Sequence, residues 1–153
     1  MSRHLIVAAG VASSLALAAV PAAAQAPGPT LKFKERNKGA TFKFIDNPPK
    51  AKHGRPTAGD MFVISNPLVS STGAKRGTLR ATCTFASSTA AVCYGVFALK
   101  EGQLVAVLST TNLDAKTQRG VIVGGTGPYE TARGTFTSTS TKSGANDVVT
   151  ISG

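Results

Sequence analysis

The segment "IVGGTGPYETARG", residues 122–134, decides how the second half of the chain is interpreted. Its glycines miss the dinucleotide-binding pattern G-x-G-x-x-G, because Glu130 stands where the third glycine is required. No Gly-Lys-Ser/Thr follows either, so the P-loop pattern is not met. Three closely spaced glycines followed by Pro128 supply the backbone freedom and the rigidity of a tight connection. The segment is therefore predicted to be a turn between two strands.

On both sides of this turn the sequence predicts strands. No segment after residue 24 keeps an apolar period near 3.6, whereas short apolar or alternating runs recur between Gly, Pro, Asn and Ser. An all-β fold follows. The predicted strands are Leu31–Arg36, Ala40–Ile45, Asp60–Val69, Gly77–Ala86, Ala91–Lys100, Gln103–Thr111, Gly120–Val123, Thr131–Thr139 and Asp147–Ser152.

The two faces of these strands differ along the chain. In Leu31–Arg36 one face carries Leu, Phe and Glu and the other Lys, Lys and Arg, which is typical of a half-exposed strand. The strands Ala91–Lys100 and Gln103–Thr111 are apolar on both faces. A closed antiparallel up-and-down barrel of eight strands, or nine, covers one face, and a subunit contact covers the other. We therefore expect a homo-oligomer.

The first 24 residues are typical of a secretory signal peptide. Arg3 and His4 precede an apolar run and then Ala22-x-Ala24, which fits a cleavage site before Gln25. The alternative is an uncleaved membrane anchor. Residues 25–153 are predicted to form a single domain that is secreted or periplasmic, without stable membrane insertion after cleavage.

The chain is basic, with 17 Lys and Arg against 7 Asp and Glu and a formal charge of +10. Half of the basic residues that remain after cleavage lie between Lys32 and Arg55. This segment is interpreted either as a solvated edge or as a contact for an anionic surface polymer. Aromatic residues suited to stacking on bases are few, so no nucleic-acid partner is predicted.

The residue inventory argues against several catalytic schemes. After cleavage the only histidine is His53, in the Pro- and Gly-rich loop Asn47–Gly59 that is interpreted as a lid or a connector. A Ser-His-Asp triad is therefore not predicted. Because His53 has no second ligand at metal-binding spacing, neither a metal nor another cofactor is predicted.

The two cysteines, Cys83 and Cys93, lie in consecutive predicted strands, in a chain expected to reach an oxidising compartment. A hairpin centred near Ser88 would place them opposite each other, which favours a disulfide. The alternative is a free thiol at Cys83 that faces a cavity.

Two blocks of sequence resemble the allene oxide cyclase and dirigent proteins, which share an eight-stranded antiparallel barrel and commonly form trimers. Gly59–Cys83 resembles their Gly-Asp opening, the following strand with its Asn/Asp-Pro-Leu corner, and the next strand. Arg119–Phe136 is similar to the dirigent signature Val-Val-Gly-Gly-Thr-Gly-aromatic-Ala-Arg-Gly. The resemblance implies the same barrel and a homotrimer.

The cyclases hold an epoxide of a fatty acid in an apolar cavity and fold it into one enantiomer of a cyclopentenone. Of their four polar cavity groups, the resemblance assigns the later asparagine to Asn66 and the cavity cysteine to Cys83. Alignment of "KERNKG" puts Lys32 and Lys34 where the cyclases have their glutamate and first asparagine. A lysine does not accept a hydrogen bond, so the resemblance stops short of cyclase activity.

Dirigent proteins bind phenoxy radicals or quinone methides and bias their coupling or cyclisation, and Arg133 matches the arginine of their Ala-Arg-Gly element. The resulting hypothesis is an exported barrel that binds a small hydrophobic or aromatic molecule and steers its stereoselective cyclisation or coupling, either as an isomerase or in the dirigent manner. Asn66 and Arg133 would orient polar groups, Tyr94 or Phe97 would line the cavity, and Tyr129 would lie at its mouth. The alternative is a non-catalytic secreted module whose basic segment meets an anionic polymer.

Overall fold

A computed structural model describes residues 27–47 and 54–152. The predicted signal peptide, the predicted cleavage site before Gln25, and His53 lie outside the described residues. The strands are β1 (Pro27–Arg36), β2 (Thr41–Ile45), β3 (Met61–Val69), β4 (Lys75–Phe85), β5 (Ala91–Leu99), β6 (Gln103–Thr110), β7 (Thr117–Gly125), β8 (Arg133–Thr141) and β9 (Gly144–Ser152). All nine predicted strands are present, and β1, β7 and β9 are longer than predicted.

The strands form one antiparallel sheet that closes on itself. Strands β3 to β9 pair in chain order, β9 pairs with β1, and β1 pairs with β3 through Lys34–Val69 and Glu35–Leu68. The result is a closed eight-stranded barrel, which confirms the predicted fold class. Strand β2 is the additional ninth strand and pairs only with β3.

One end of the barrel is filled by a hydrophobic core. Phe33, Leu68, Phe97 and Leu104 are buried there with side chains from all the neighbouring strands. The second half of the barrel holds a separate cluster around the Cys83–Cys93 disulfide, with Phe85 and Ala91. The larger core therefore fills one end of the barrel, and the smaller cluster leaves a cavity in the other half.

The glycine-rich segment closes the packed end, as a turn between β7 and β8. A short 3-10 helix, Gly127–Tyr129, follows β7, and Gly127 has φ +61°, a conformation that favours glycine. A Cβ at Gly125 would lie 2.1 Å from the Gln103 carbonyl oxygen and 2.7 Å from the Tyr129 Cβ. Only glycine at position 125 leaves room for Tyr129 and the Gln103 backbone to pack this closely, which explains why this position is glycine.

The loop between β2 and β3 is anchored by Asp60. Its buried carboxylate accepts hydrogen bonds from the backbone N–H groups of Asn47 and Thr57, both at 2.7 Å. These two donors lower the pKa of Asp60. The Gly59-Asp60 pair that carries part of the family resemblance therefore has a structural role here.

None of the helices in residues 27–47 and 54–152 is long and apolar enough to cross a membrane. Within the same residues no three His, Cys, Asp or Glu side chains come together as metal ligands.

Candidate functional site

The less tightly packed half of the barrel contains a cavity of about 320 Å³. Because side chains alternate along each strand, every second residue of β3 to β6 points into it. Most of its wall is apolar, formed by Phe62, Ile64, Leu79, Ala81, the disulfide, Phe97, Ala106, Leu108 and Phe136. Asn37, Leu113 and Ser140 lie around the mouth, at the end where the β1–β2 turn and the β8–β9 hairpin meet.

A row of polar side chains crosses the opposite wall. Glu35 on β1 faces Leu68 on β3 and Ala145 on β9, which makes Asn66 and Asp147 its diagonal neighbours on the inner face. Ser138 on β8 pairs directly with Asp147. All four line the cavity, so a continuous polar row, Asn66–Glu35–Asp147–Ser138, spans four adjacent strands.

Asp147 is the most unusual member of this polar row, because only 1% of its surface is exposed. Neither of its carboxylate oxygens has a partner at full hydrogen-bond geometry among the described residues, although the side chains of Ser138 and Glu35 are close enough to affect its protonation. Burial, together with the negative charge of Glu35, raises the pKa of Asp147 to about 8. The Ser138 hydroxyl lowers the pKa of Asp147 and proximity to the Glu35 carboxyl group raises it further, so the net shift is upward. The raised pKa favours the protonated form of Asp147 near neutral pH.

Glu35 is held in place by Asn66. The Asn66 side-chain amide donates a hydrogen bond to Glu35 Oε2, and Glu35 is only 8% exposed. The amide holds the Glu35 carboxyl group in one orientation on the cavity wall. The cavity therefore presents two adjacent carboxyl groups within one apolar chamber, and the pKa of one of them, Asp147, is raised. Such an arrangement suits general acid–base chemistry.

Of the five residues proposed from the sequence as ligand contacts, the structure places Asn66 and Phe97 in the cavity wall. Tyr94 instead lies on the outer surface and is 64% exposed, because the alternation of β5 turns Cys93, Gly95 and Phe97 inward. The expectation that Tyr94 could line the cavity is therefore wrong.

Tyr129 and Arg133 lie at the packed end of the barrel, away from the mouth. The Tyr129 hydroxyl donates to Glu101 Oε1 at 3.3 Å, and burial followed by the Glu101 charge raises the pKa of Tyr129. Arg133 donates from Nη1 to the Ala132 carbonyl oxygen at 2.8 Å. These hydrogen bonds hold the turn between β7 and β8 in place. Neither Tyr129 nor Arg133 lines the cavity.

The side chains of β1 that point into the barrel differ from those set there by the sequence alignment. Lys32 and Lys34, which the sequence alignment set at the cavity positions, are exposed on the outside, and Phe33 and Glu35 point inward. The alignment was one residue out of phase, and a shift of one residue exchanges the two faces of a strand. Glu35 on the Leu/Phe/Glu face, and Asp147 alternating with Val149 and Ile151, were the signals in the sequence that could have identified both carboxylates.

The cysteines are directly opposite each other on β4 and β5 and form a disulfide, as the hairpin spacing predicts. Both are buried and line the cavity. The alternative of a free cavity thiol at Cys83 is excluded by this bond. The disulfide therefore serves as an apolar part of the wall.

A second depression, of about 470 Å³, lies beside the mouth between the β1–β2 turn and the β8–β9 hairpin. Four cationic side chains border it: Lys34, Arg36, Lys38 and Lys142. Glu35, Asn37 and Ala145 border both spaces. The basic segment thus meets solvent next to the entrance of the cavity.

No protein-family model matches the chain, and no curated protein matches its sequence. Similar folds are found among solved structures. Pyocyanin demethylase is 20% identical with a TM-score of 0.69, over 81% of this chain and 100% of the demethylase. The pterocarpan synthase dirigent protein GePTS1 is 18% identical with a TM-score of 0.63, over 80% of this chain and 82% of that protein.

A second pterocarpan synthase dirigent protein, PsPTS1, is also 18% identical, with a TM-score of 0.60 over 80% of this chain and 92% of its own length. Identities this low establish a shared fold and leave the activity open. The closed barrel, its strand order and these likenesses together show that the chain has the dirigent-like barrel fold predicted from Gly59–Cys83 and Arg119–Phe136.

Proposed function

We propose that this protein binds a small hydrophobic or aromatic molecule in its barrel cavity and steers a redox-neutral cyclisation or isomerisation of it. The observation that carries the proposal is Asp147, a buried carboxyl group that faces a partly empty apolar chamber and has no partner at full hydrogen-bond geometry within residues 27–47 and 54–152. A buried polar group is costly to leave unpaired. A guest with an oxygen or nitrogen atom at this point would satisfy it.

The proposed chemistry uses the two adjacent carboxyl groups of the polar row, Asp147 and Glu35. Protonated Asp147 donates its proton to an oxygen or nitrogen of the guest as negative charge develops there. Glu35, held by Asn66, accepts a proton that the guest releases, and the two carboxyl groups exchange protons between turnovers. The guest gains one proton and loses one, and it is neither oxidised nor reduced, so a cyclisation or an isomerisation needs no further reactant. A coupling reaction would need radicals formed by a separate oxidant, as in the dirigent proteins.

Stereochemical control would come from the shape of the cavity. The apolar wall of β3 to β6 faces the polar row, so a guest has one polar side and one apolar side available to it. A cavity of about 320 Å³ is at the small end of the range of ligand sites, about 300–1,000 Å³, and restricts the conformations of a flexible guest. Restriction to a reactive conformer accelerates reaction by positioning. The fold neighbours named for pyocyanin and pterocarpans are consistent with a small organic guest.

The proposal is tested by filling the cavity. Gly95 lines it, and a Cβ built there meets only ordinary contacts, the nearest being the Ala81 Cβ at 3.5 Å. Gly95→Leu should therefore fold but block guests. The probe is 4-ethylphenol, measured by isothermal titration calorimetry. We expect binding to the unaltered protein and at least a tenfold loss in the variant, since steric exclusion removes the contacts. Equal affinity in both would refute binding in the cavity.

We also propose that the protein is exported and works as a homo-oligomer, with a trimer expected from the family resemblance. Tyr94, Val107 and Val121 pair across three strands on the outside of the barrel, and Tyr94 and Val121 are exposed. An apolar outer surface of this kind favours association. Native mass spectrometry of the protein secreted from cells tests the subunit number, the mass after signal cleavage and any co-purifying compound. An uncleaved or purely monomeric chain would contradict this proposal.

A second candidate function is binding of an anionic polymer, supported by the depression bordered by Lys34, Arg36, Lys38 and Lys142. Retention on heparin measures it. Binding by these cations should collapse as ionic strength rises above about 0.15 M, whereas binding of 4-ethylphenol in the apolar cavity should barely respond. Retention that is independent of salt, or unchanged in Lys38→Ala/Lys142→Ala, would contradict polymer binding at this surface.

A further inference from the structure

Strand β2 projects beyond the closed part of the barrel. It pairs only with β3, and all five of its residues are exposed. Phe42, with 67% of its surface exposed, is the most exposed large hydrophobic residue described. Phe42 belongs to neither hydrophobic cluster of the described residues, and most of its side chain remains in contact with solvent.

The register of β2 with β3 shows which way its aromatic residues point. Phe44 lies opposite Phe62, and Phe42 lies opposite Ile64. Directly opposed residues of an antiparallel pair share one face of the sheet, and Phe62 and Ile64 line the cavity. Phe42 and Phe44 are therefore on the cavity face, whereas Lys43 between them is on the outer face.

The aromatic rings form one continuous surface from the cavity to the solvent. Phe42 stacks on Phe62, with ring centroids 5.7 Å apart, and Phe62 contacts Phe85 at 5.5 Å. Phe44 meets Phe85 edge-on at 6.1 Å. We call Phe42 and Phe44 the aromatic lip. Its inner face continues the apolar wall of the cavity beyond the mouth.

We infer that the aromatic lip is the outer half of the ligand site and that the natural guest is elongated, with a polar head at Asp147 and an apolar or aromatic tail across Phe42 and Phe44. This inference rests on the proposed function. The cavity holds only about 320 Å³, so the part of a longer guest that does not fit inside would leave through the mouth and meet the aromatic lip. The amphipathic pattern Phe42-Lys43-Phe44 places the apolar face toward such a tail and the charge toward water.

The test uses 4-n-alkylphenols from ethyl to octyl, which keep one polar head and lengthen only the tail. Each buried methylene adds affinity, so the tightness of binding to the unaltered protein should rise along the series. Phe42→Ala/Phe44→Ala should bind 4-ethylphenol within twofold of the unaltered protein and 4-octylphenol about tenfold more weakly. Val63→Ala is the matched control, since Val63 is exposed on the outer face of the neighbouring strand β3, directly opposite Lys43. It should leave the whole series unchanged.

The single variant Phe42→Ala guards against misfolding, because the exposed Phe42 side chain contributes little to the core. It should also bind 4-octylphenol more weakly than the unaltered protein, by a smaller factor than the double variant. If the short probe binds and the long probe is unaffected by both variants, the aromatic lip is not a ligand site and the cavity proposal stands. An equal loss in Val63→Ala, or a change of subunit number with unchanged probe binding, would also overturn the inference. Absence of binding by every probe would overturn both proposals.

Discussion

Replacement of Asp147 by asparagine tests the central feature of the polar row through stability alone. Burial and the charge of Glu35 raise the pKa of Asp147 to about 8 in the folded protein, compared with 3.8 for an unperturbed aspartate. The folded state therefore holds a proton that the unfolded state releases above pH 4. The stability supplied by this proton is fully present below pH 4 and is lost as pH rises to about 8.

The magnitude follows from proton linkage. One pH unit changes the free energy of unfolding by about 1.4 kcal/mol for one proton, so roughly 4 kcal/mol is lost between pH 5 and pH 8. Asparagine is nearly the same shape as the protonated acid and does not titrate. We expect the stability of Asp147→Asn relative to the unaltered protein to rise by roughly 4 kcal/mol between pH 5 and pH 8.

Urea unfolding followed by far-ultraviolet circular dichroism suits a chain without tryptophan. Both proteins are measured at pH 5, 6, 7 and 8, and Asp114→Asn, at an exposed loop position, is the matched control. The control should keep the slope of the unaltered protein. The lowered pKa of Asp60 affects stability only as pH falls below about 4, outside this window. An unchanged slope in Asp147→Asn would refute the buried carboxylic acid.

Three further outcomes are expected. Reduction of the disulfide, or Cys83→Ser/Cys93→Ser, should lower the free energy of unfolding by about 2–3 kcal/mol, measured by urea titration; no loss would show that the hairpin holds without the bond. Gly125→Ala should lower the melting temperature by several degrees because its Cβ meets the Gln103 carbonyl oxygen, whereas Gly124→Ala, with its nearest contact at 3.7 Å, should not; equal melting temperatures would contradict the close approach. Tyr94→Asp should shift the protein to monomers in light scattering at micromolar concentration, and an unchanged mass would exclude the outer face as the subunit contact.

Much of the barrel could be predicted from local patterns. Alternation with a period of two identifies a strand and its two faces without knowledge of its neighbours. All nine strands and the outward lysines of β1 could therefore be predicted from the sequence. The same holds for the cysteine pair, because a hairpin of short separation determines its own register. The glycine-rich turn could be predicted for a similar reason, since the range of backbone dihedral angles open to glycine is a local property.

The pair of carboxyl groups in the candidate site could not be predicted from local patterns. Glu35 and Asp147 come from opposite ends of the chain and meet only because closure brings β1 between β3 and β9. Alternation shows that a carboxylate faces inward, but it does not show whether the space there is filled or what lies across the barrel.

The sequence by itself determined the strands, their buried faces and the closing turn, because each depends on contacts between residues close along the chain. The tertiary structure alone decided where the barrel interior is filled and where a cavity remains, that Asp147 is buried beside Glu35, and that Phe42 lies on the cavity face of the sheet. These features depend on long-range closure of the sheet, which sets distances and burial that no local pattern encodes.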